Sequence, residues 1–214
     1  MKKLVVINDK KAVIDWYKTA FLEQHLQKYK SKVFDCKKVI EIGAYDCQES
    51  LKFTSLFPKA TVTAFECNPR LINKCKENSE TSDRITLVEG MVTNIPENNT
   101  LYLCEGGLSS MCYPMEMEHA LISVPTIKMV KYLDDSQIDF LWIDVQGAEL
   151  NVLQSFGHKL QNVKTIYCEV DITEGRYSTN SNMNTVSEFL FNNGYLIKDK
   201  MILNPNEAHL IFEC

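Results

Sequence analysis

Apolar segments of two kinds alternate along this chain, and their different periods predict strands and helices in turn. Runs rich in β-branched, aromatic and aliphatic residues predict strands at 38–42, 61–65, 85–88, 138–143 and 163–168. Apolar residues spaced three and four positions apart predict helices at 46–57, after Gly147 and at 183–193. Strands that alternate with helices indicate an α/β domain in which helices cover both faces of a mainly parallel sheet.

The beginning and the middle of the chain depart from this alternation. Residues 11–31 predict a helix ahead of the first strand, so we expect residues 1–37 to form a helical extension packed on a domain of residues 38–214. Short strands predicted at 101–103 and 126–130 flank a loop that holds paired glycines and paired serines.

Three local signals set further boundaries. Asn68-Pro69 predicts a helix start, with the asparagine as N-cap and the proline at the first helical position. Gly194 is expected to cap the helix at 183–193. Two terminal strands then end at Ile211-Phe212.

Composition and charge limit the classes of function. The chain has 214 residues and a formal net charge of −5, which argues against nucleic-acid binding because that binding depends on neutralising phosphates. No apolar run is long enough for a transmembrane helix, and the apolar start at 4–7 is too short for a signal peptide, so we expect a cytoplasmic protein. The eight cysteines form no C-x-x-C pair, which indicates buried reduced thiols.

Positive charge is concentrated near the start of the chain. Residues 1–38 hold ten lysines against four acidic residues. A stripe of basic residues recurs every seven positions on the predicted helix, at Lys11, Lys18, His25 and Lys32. This stripe is either a solvated helix face or a docking surface for an acidic substrate or partner.

Residues at the carboxyl ends of the first two strands are candidates for ligand binding, because ligands bind at that edge of such sheets. The first strand runs through Glu41 and ends at Gly43, where a glycine lets the backbone approach a ligand closely. The second strand ends at Glu66, about 20 residues after the glycine, where an acid can accept both hydroxyls of a ribose. Alone, Gly43 is compatible with a plain turn and Glu66 with a solvated acid. Together they indicate an adenosine-type cofactor, and the lack of G-x-G-x-x-G argues against NAD.

Carboxylates follow the next two buried strands. Asp144 leaves an apolar strand, Glu149 begins the following helix, and Glu169 and Asp171 end the strand after it. One alternative is that Asp144 and Glu149 merely cap the helix, where negative charge is favoured. Carboxylates that converge cost free energy unless a proton, a cation or a donor compensates them, so we interpret this convergence as a site.

The strand-end motifs occur in a characteristic order. They are Val39-Ile40-Glu41-Ile42-Gly43-Ala44, Ala64-Phe65-Glu66-Cys67-Asn68-Pro69, Leu108-Ser109-Ser110-Met111, Val124-Pro125-Thr126 followed by Leu133-Asp134-Asp135, the twelve residues from Ile138 to Glu149, and Cys168-Glu169-Val170. In this order they resemble the FkbM family of S-adenosylmethionine-dependent methyltransferases over roughly residues 38–200. The resemblance implies one Rossmann-like class I methyltransferase domain, with a seven-stranded sheet whose last strand is antiparallel.

The resemblance also implies S-adenosyl-L-methionine as the cofactor and an oxygen as the methyl acceptor. The cofactor-binding residues that it implies are Glu41, Gly43, Ala44, Glu66, Cys67, Asn68, Gly90, Met91 and Asp144. Met91 stands where many class I enzymes place an acid near the adenine, so we expect its thioether and backbone groups to contact the adenine. Trp142 and Gln146 stand where many members have lysine and glutamate, so any roles of those two charges are absent here.

The middle loop is the candidate for a lid over the acceptor. Its glycines supply mobility, and Ser109 and Ser110 supply neutral donors. The alternative is an ordinary polar connection. Gln146 and Glu149 complete the predicted acceptor-binding residues.

The expected function is O-methylation of a hydroxyl on a sugar, a glycan or a small metabolite. Such a hydroxyl must lose its proton to a base or bind a metal, and we expect Asp144 to be the base, with Glu169 as the second candidate. The alternative is a Mg²⁺ ion held by both carboxylates, as in catechol-type methyltransferases. A non-catalytic S-adenosylmethionine-fold module and a nicotinamide-dependent enzyme are rival classes. The identity of the acceptor and the formation of a homodimer stay open.

Overall fold

The computed structural model of this chain describes residues 35–97, 99–105, 107–173 and 176–214. The predicted helix at 11–31 and its basic stripe lie outside these residues, as does nearly all of the predicted N-terminal extension. The residues from Asp35 to Cys214 belong to one compact unit.

Strands and helices alternate along the described part of the chain. The first half contains β1 (Lys38–Ile42), α1 (Gln48–Leu56), β2 (Thr61–Glu66), α2 (Ile72–Ser79), β3 (Ile85–Glu89), β4 (Met91–Val92), β5 (Thr100–Leu103), β6 (Tyr113–Pro114), β7 (Ala120–Ser123), β8 (Thr126–Ile127) and α3 (Met129–Tyr132). The second half contains β9 (Ile138–Ile143), α4 (Glu149–Ser155), a 3₁₀ helix (Gly157–Asn162), β10 (Val163–Asp171), β11 (Tyr177–Ser178), α5 (Met183–Asn192), β12 (Leu196–Asn204) and β13 (Glu207–Glu213).

The main sheet has seven strands in the order β12–β13–β10–β9–β1–β2–β3. Strands β3, β2, β1, β9 and β10 are parallel, and β13 is antiparallel to both of its neighbours. The predicted α/β domain with an antiparallel last strand is therefore confirmed. The strand order reverses between β1 and β9, and ligands bind beside such a switch point in open α/β sheets.

Alternate residues of β9 cover both faces of the sheet. Leu141 and Ile143 belong to the main apolar core, together with residues of α4 and α5. Trp142 lies on the opposite face, where its ring packs against Phe53 of α1 and stacks on Tyr167 of β10 at a centroid distance of 3.6 Å. Because each face carries apolar side chains and a covering helix, β9 is a buried central strand.

A second apolar cluster joins the segment between β4 and β8 to the carboxyl edge of the sheet. Its buried members are Met91, Leu101, Leu103, Met111, Val124 and Ala148, and the half-buried Cys67, Cys112, Ile122 and Val145 pack against them. This cluster fixes the middle segment above the ends of β2 and β9.

Two predicted boundaries are wrong. The strand expected at 126–130 stops at Ile127, because α3 begins at Met129. The helix expected to begin at Asn68-Pro69 begins at Ile72. The side chain of Asn68 accepts a hydrogen bond from the backbone N–H of Arg70 at 3.0 Å, which forms a turn two residues on and delays the helix. None of the described helices has the length and apolar character needed to cross a membrane.

Candidate active site

The turn after β1 is held against the end of β9 by its glycine. Gly43 has a φ of +86°, and a Cβ at this position would lie 1.9 Å from the carbonyl oxygen of Asp144. The N–H groups of Gly43 and Ala44 both donate to the carbonyl of Phe65 at 3.0 Å. The sequence predicts that the absence of a side chain at Gly43 lets a ligand approach the backbone. The nearer obstacle is the backbone of Asp144, so the glycine first permits two strand ends to meet.

The carboxylate of Glu66 ties the ends of β1 and β2 together. Its Oε2 accepts the N–H of Tyr45 at 2.7 Å, and its Oε1 accepts those of Cys67 at 2.8 Å and Asn68 at 2.7 Å. Burial raises the pKa of Glu66, and these three backbone hydrogen bonds oppose that rise. Since a carboxylate accepts about four hydrogen bonds, Oε2 can take one more donor. This geometry fits the ribose hydroxyl expected at Glu66.

Two other predicted cofactor residues, Gly90 and Met91, lie beside Glu66. The N–H of Gly90 donates to the backbone carbonyl of Glu66 at 2.9 Å, and that of Met91 donates to Pro125 at 2.8 Å. The Met91 side chain is buried in the second apolar cluster, against which Cys67 packs. The structure therefore brings the predicted adenine side and the predicted ribose side of the site to one edge.

Glu41 lies beneath the β1 turn. It is 1% exposed and accepts a hydrogen bond from the hydroxyl of Ser50 in α1. Burial, followed by the charge of Glu49, raises the pKa of Glu41 well above its ordinary value. Its carboxyl group thus supports the turn from within the protein, whereas the sequence placed it among the cofactor contacts.

Gln146 joins the two carboxylates predicted to be catalytic. Its Nε2 donates to Oδ1 of Asp144 at 2.7 Å and to Oε1 of Glu169 at 3.1 Å. The opposite amide orientation would turn the carbonyl oxygen towards two carboxylates, so the donor must face them. We expected a proton, a cation or a hydrogen-bond donor to offset the repulsion between the convergent carboxylates. The structure supplies a hydrogen-bond donor.

The carbonyl oxygen of the Gln146 amide lacks a hydrogen-bond donor among the described residues. Its Oε1 is buried, and no described residue donates to it. A buried carbonyl oxygen without a donor costs about 1–3 kcal/mol, so this oxygen requires a donor from a water or a ligand. This observation agrees with Gln146 as an acceptor-binding residue.

A histidine that sequence analysis did not single out lies next to Glu169. His209 of β13 is opposite Glu169 in the antiparallel register, with its Nε2 3.5 Å from Glu169 Oε2 and 3.1 Å from Glu207 Oε1. The hydroxyl of Tyr167 lies 2.9 Å from its Nδ1. Glu169, Glu207 and His209 each offer one possible metal-ligand atom. Within the described ranges, they form the one group in which such atoms lie close enough together to hold a metal ion.

Glu149, predicted to contact the acceptor, is a buried side chain with two protein donors. It is 2% exposed, its Oε1 accepts the N–H of Gly147 at 2.8 Å and its Oε2 accepts the hydroxyl of Ser181 at 2.8 Å. Burial raises the pKa of Glu149 to about 7. Asp144 does not cap α4, because the N-cap is Ala148, which makes no side-chain cap. The capping alternative for Asp144 is therefore wrong.

The described residues of the middle loop, 104–105 and 107–112, contact three strand-end turns. Ser109 Oγ accepts a hydrogen bond from Asn68 Nδ2 at 3.2 Å, and Gly107 lies against the ring of Tyr45. At the far side, the thiol of Cys112 donates to the carbonyl of Gly147 at 3.3 Å. A loop that lies over the ends of β1, β2 and β9 is positioned as a cover for the site.

The two serines of this loop have different surroundings from those expected. Ser110 is 2% exposed, and its Oγ accepts the N–H of Cys112 at 3.0 Å, so this side chain stabilises the loop. Besides the Asn68 contact, Ser109 Oγ accepts the N–H of Cys104 at 3.1 Å and donates to the carbonyl of Cys104 at 3.2 Å, so this serine also stabilises the loop.

Sequence analysis missed two residues that join this loop to the site. Tyr45 lies in the β1 turn and contacts both Glu66 and Gly107. Tyr177 packs against Gly147 and donates its hydroxyl to the carbonyl of Leu108 at 2.8 Å. The position of Tyr45, directly after Gly43-Ala44, was a usable signal. Tyr177 gave none, because its contacts are distant in sequence.

The strand order, the antiparallel last strand and the candidate residues at the carboxyl ends of β1, β2 and β9 define the class I methyltransferase fold. Solved structures with this fold include the precorrin-6y C5,15-methyltransferase of Geobacter metallireducens, with a TM-score of 0.50 and 18% identity over 86% of this chain and 84% of that one. Fibrillarin of Aeropyrum pernix, solved with S-adenosyl-L-methionine, has a TM-score of 0.53 and 13% identity over 85% of this chain and 68% of that one.

The Methyltransferase FkbM domain family matches residues 41–197, so this chain belongs to that family, whose cofactor is S-adenosyl-L-methionine. The 2-O-methyltransferase NoeI of Sinorhizobium fredii is 31% identical over 150 residues, which cover 61% of this chain and 62% of that protein. The chain thus matches less than two thirds of the length of this curated relative.

Proposed function

We propose that this chain transfers a methyl group from S-adenosyl-L-methionine to a hydroxyl oxygen of a sugar, a glycan or a small metabolite. Family membership supports methyl transfer, and the name of the relative, a 2-O-methyltransferase, supports oxygen as the acceptor atom. The observation that carries the proposal is the pair of carboxylates, Asp144 and Glu169, that share the amide of Gln146 at the carboxyl edge of the sheet.

The ends of β1, β2 and β3 provide the cofactor side of the proposed site. Glu66 has capacity for a ribose hydroxyl, the Gly43 turn lies beside it, and Met91 contributes apolar surface. When bound, S-adenosyl-L-methionine supplies a methyl group on an already activated sulfonium. The protein therefore has to hold the acceptor oxygen close, aligned and away from water.

Asp144 is the proposed base. An alcohol oxygen must lose its proton as the new bond to the methyl group forms, and a carboxylate beside it can take that proton. Gln146 holds Oδ1 of Asp144, which fixes the plane of the carboxylate. Glu169, held by the same amide, is the second candidate and adds negative charge that favours proton uptake.

A base is favoured over a metal between these two carboxylates because of the amide between them. An amide N–H donates and does not coordinate, so a Mg²⁺ ion shared by Asp144 Oδ1 and Glu169 Oε1 would have to displace Gln146 Nε2 from both. The buried Oε1 of Gln146 lies at the other end of the amide and is the proposed partner of a donor on the acceptor molecule.

The test is methyl transfer from tritiated S-adenosylmethionine to neutral methyl glycosides and, separately, to catechol, each with EDTA or with Mg²⁺. We expect label on a glycoside hydroxyl, with equal rates in EDTA and Mg²⁺. Dependence on Mg²⁺ would replace the base with the metal. Calorimetric binding of S-adenosylmethionine without transfer to any acceptor would support a non-catalytic module instead, and binding of NAD alone would overturn the cofactor.

A further inference from the structure

Three aromatic rings outside the residues assigned so far form a cluster on the middle segment. They belong to Tyr102 of β5, Tyr113 of β6 and His119, which precedes β7. The centroid of Tyr102 lies 5.6 Å from that of Tyr113 and 5.3 Å from that of His119, and the remaining pair is 5.2 Å apart. All three pairs meet edge to face, the favoured arrangement, so each ring supports the other two.

The cluster is accessible and has polar groups at its rim. Tyr113 is 48% exposed, and Tyr102 and His119 are half-buried. Nδ1 of His119 lies 2.9 Å from the carbonyl of Met117, which can only accept, so Nδ1 carries the proton and Nε2 is an acceptor. Among the described residues, the hydroxyl groups of Tyr102 and Tyr113 form no hydrogen bond. Aromatic surface and hydrogen-bonding groups therefore lie side by side.

Short stretches of chain and backbone hydrogen bonds connect the cluster to the carboxylate site. The backbone of Tyr102 pairs with Ser110 of the covering loop through hydrogen bonds of 2.8 and 3.1 Å. Tyr113 directly follows Cys112, whose thiol contacts the carbonyl of Gly147. Gly147 follows Gln146, the residue that joins the two carboxylates. A ligand on these rings would thus approach the same edge of the sheet as an acceptor.

The charge of this segment restricts the ligand. Residues 100–127 contain three glutamates, Glu105, Glu116 and Glu118, and neither lysine nor arginine. Nucleic-acid binding needs positive charge to neutralise phosphates, so the segment disfavours RNA and other polyanions. An uncharged ligand meets no such opposition.

We propose that Tyr102, Tyr113 and His119 form an acceptor-binding platform for a neutral sugar ring. A pyranose has an apolar C–H face, which matches a tyrosine ring, and hydroxyls at its rim, which match the phenol groups and His119 Nε2. The platform rests on the proposed function and specifies the substrate class of that site.

Binding is tested by saturation-transfer NMR on the full chain with the methyl α-glycosides of glucose, mannose and galactose. The variants are Tyr113→Ala, Tyr113→Phe, which keeps the ring, and Phe191→Ala as the control for loss of an exposed ring elsewhere, since Phe191 is 66% exposed on α5. We expect saturation of at least one glycoside in the wild type, its loss in Tyr113→Ala, and its retention in the other two variants. Signal from poly-uridine or from a glucuronide alone would overturn the platform.

Enzyme kinetics distinguish the sugar-binding platform from the proposed methyltransferase activity. They use the glycoside that gives the strongest saturation-transfer signal. Tyr113→Ala should raise KM for the glycoside by about tenfold and leave kcat and S-adenosylmethionine affinity within twofold. An unchanged KM would overturn the platform while leaving the methyltransferase intact. Saturation that depends on Tyr113 without any methyl transfer would overturn the proposed function and leave a sugar-binding surface. Absence of binding by every neutral glycoside would overturn the platform.

Discussion

Gln146 and Glu169 are hydrogen-bonded at 3.1 Å although Gln146 lies in the turn after β9 and Glu169 lies near the end of β10. The same Nε2 reaches Asp144 at 2.7 Å, so one neutral donor compensates two carboxylates. Gln146 has a φ of +56°, a left-handed conformation that turns its side chain back towards both strand ends. The site consequently depends on an amide that carries no charge.

Replacing the Gln146 amide with a carboxylate should destabilise the protein by adding a third acidic group to the site. Gln146→Glu would place three carboxyl groups in hydrogen-bond contact, so one of them must hold a proton. We expect the free energy of unfolding to fall by about 2 kcal/mol at neutral pH and to recover in acid, because protonation relieves the repulsion. Denaturant titrations at several pH values measure this, with Gln154→Glu on the exposed side of α4 as the matched control. Equal stability of the two variants at neutral pH would contradict the bridging role.

Asp144→Asn tests the base. An asparagine cannot take a proton, so methyl transfer should fall by about two orders of magnitude or more. Melting temperature should hold, because Asp144 does not cap α4 and an asparagine side chain can still accept the hydrogen bond from Gln146. The measurements are initial rates, thermal melts and S-adenosylmethionine titration, with the exposed Asp135→Asn as control. A rate near that of wild type would leave only positioning of the acceptor.

Glu66→Ala should weaken the cofactor and the fold together. Loss of the charge-assisted contact is expected to reduce S-adenosylmethionine affinity by about 1.5–3 kcal/mol. The three N–H groups that Glu66 accepts would also lose their partner, so we expect the free energy of unfolding to fall by about 2 kcal/mol. Glu66→Gln should lose less of both, because its carbonyl oxygen still accepts. Calorimetry and denaturation measure the two effects; unchanged affinity in folded Glu66→Ala would refute the cofactor placement.

Gly43→Ala has an unusually close control in Gly194→Ala. The two glycines have φ of +86° and +90°, but an added Cβ meets the Asp144 carbonyl at 1.9 Å in the first and nothing within 4 Å in the second. Conformational strain alone should cost Gly194→Ala about 1 kcal/mol. Gly43→Ala should lose at least about 3 kcal/mol, because the backbone of Asp144 has to move. Similar denaturation midpoints would show that the two strand ends do not meet as described.

Glu149 should make stability depend on pH. Its pKa rises from 4.5 to about 7 on folding because of burial, so the folded state holds the proton more tightly. The resulting stability is complete below pH about 4.5 and is lost as pH rises through about 7, at a cost of about 3 kcal/mol. Glu149→Gln should remove this dependence and be the more stable protein above neutrality. Denaturation curves across this range, with the exposed Glu118→Gln as control, provide the check; parallel curves for wild type and Glu149→Gln would contradict it.

The order of elements was readable from the sequence because it depends on local period and composition. The run from Ile138 to Ile143 is apolar except for Asp139. The sequence alone therefore predicts a buried central strand there. Glycine and acid at the ends of β1 and β2 were readable for the same reason, since each follows a strand directly. The helix start predicted at Asn68-Pro69 is wrong because the asparagine side chain forms hydrogen bonds with the N–H of Arg70 and the hydroxyl of Ser109.

Only the tertiary structure decided what each site residue contacts. Ser109, Ser110, Gln146 and Glu149 are all polar in the sequence, yet the fold buries Ser110 and Glu149 and leaves Ser109 and Gln146 half-buried. His209 reaches Glu169 solely through the β10–β13 register, which joins residues 40 positions apart. Periodicity determines which residues enter a strand, whereas contacts between strand ends depend on how distant elements pack, and no local pattern records that.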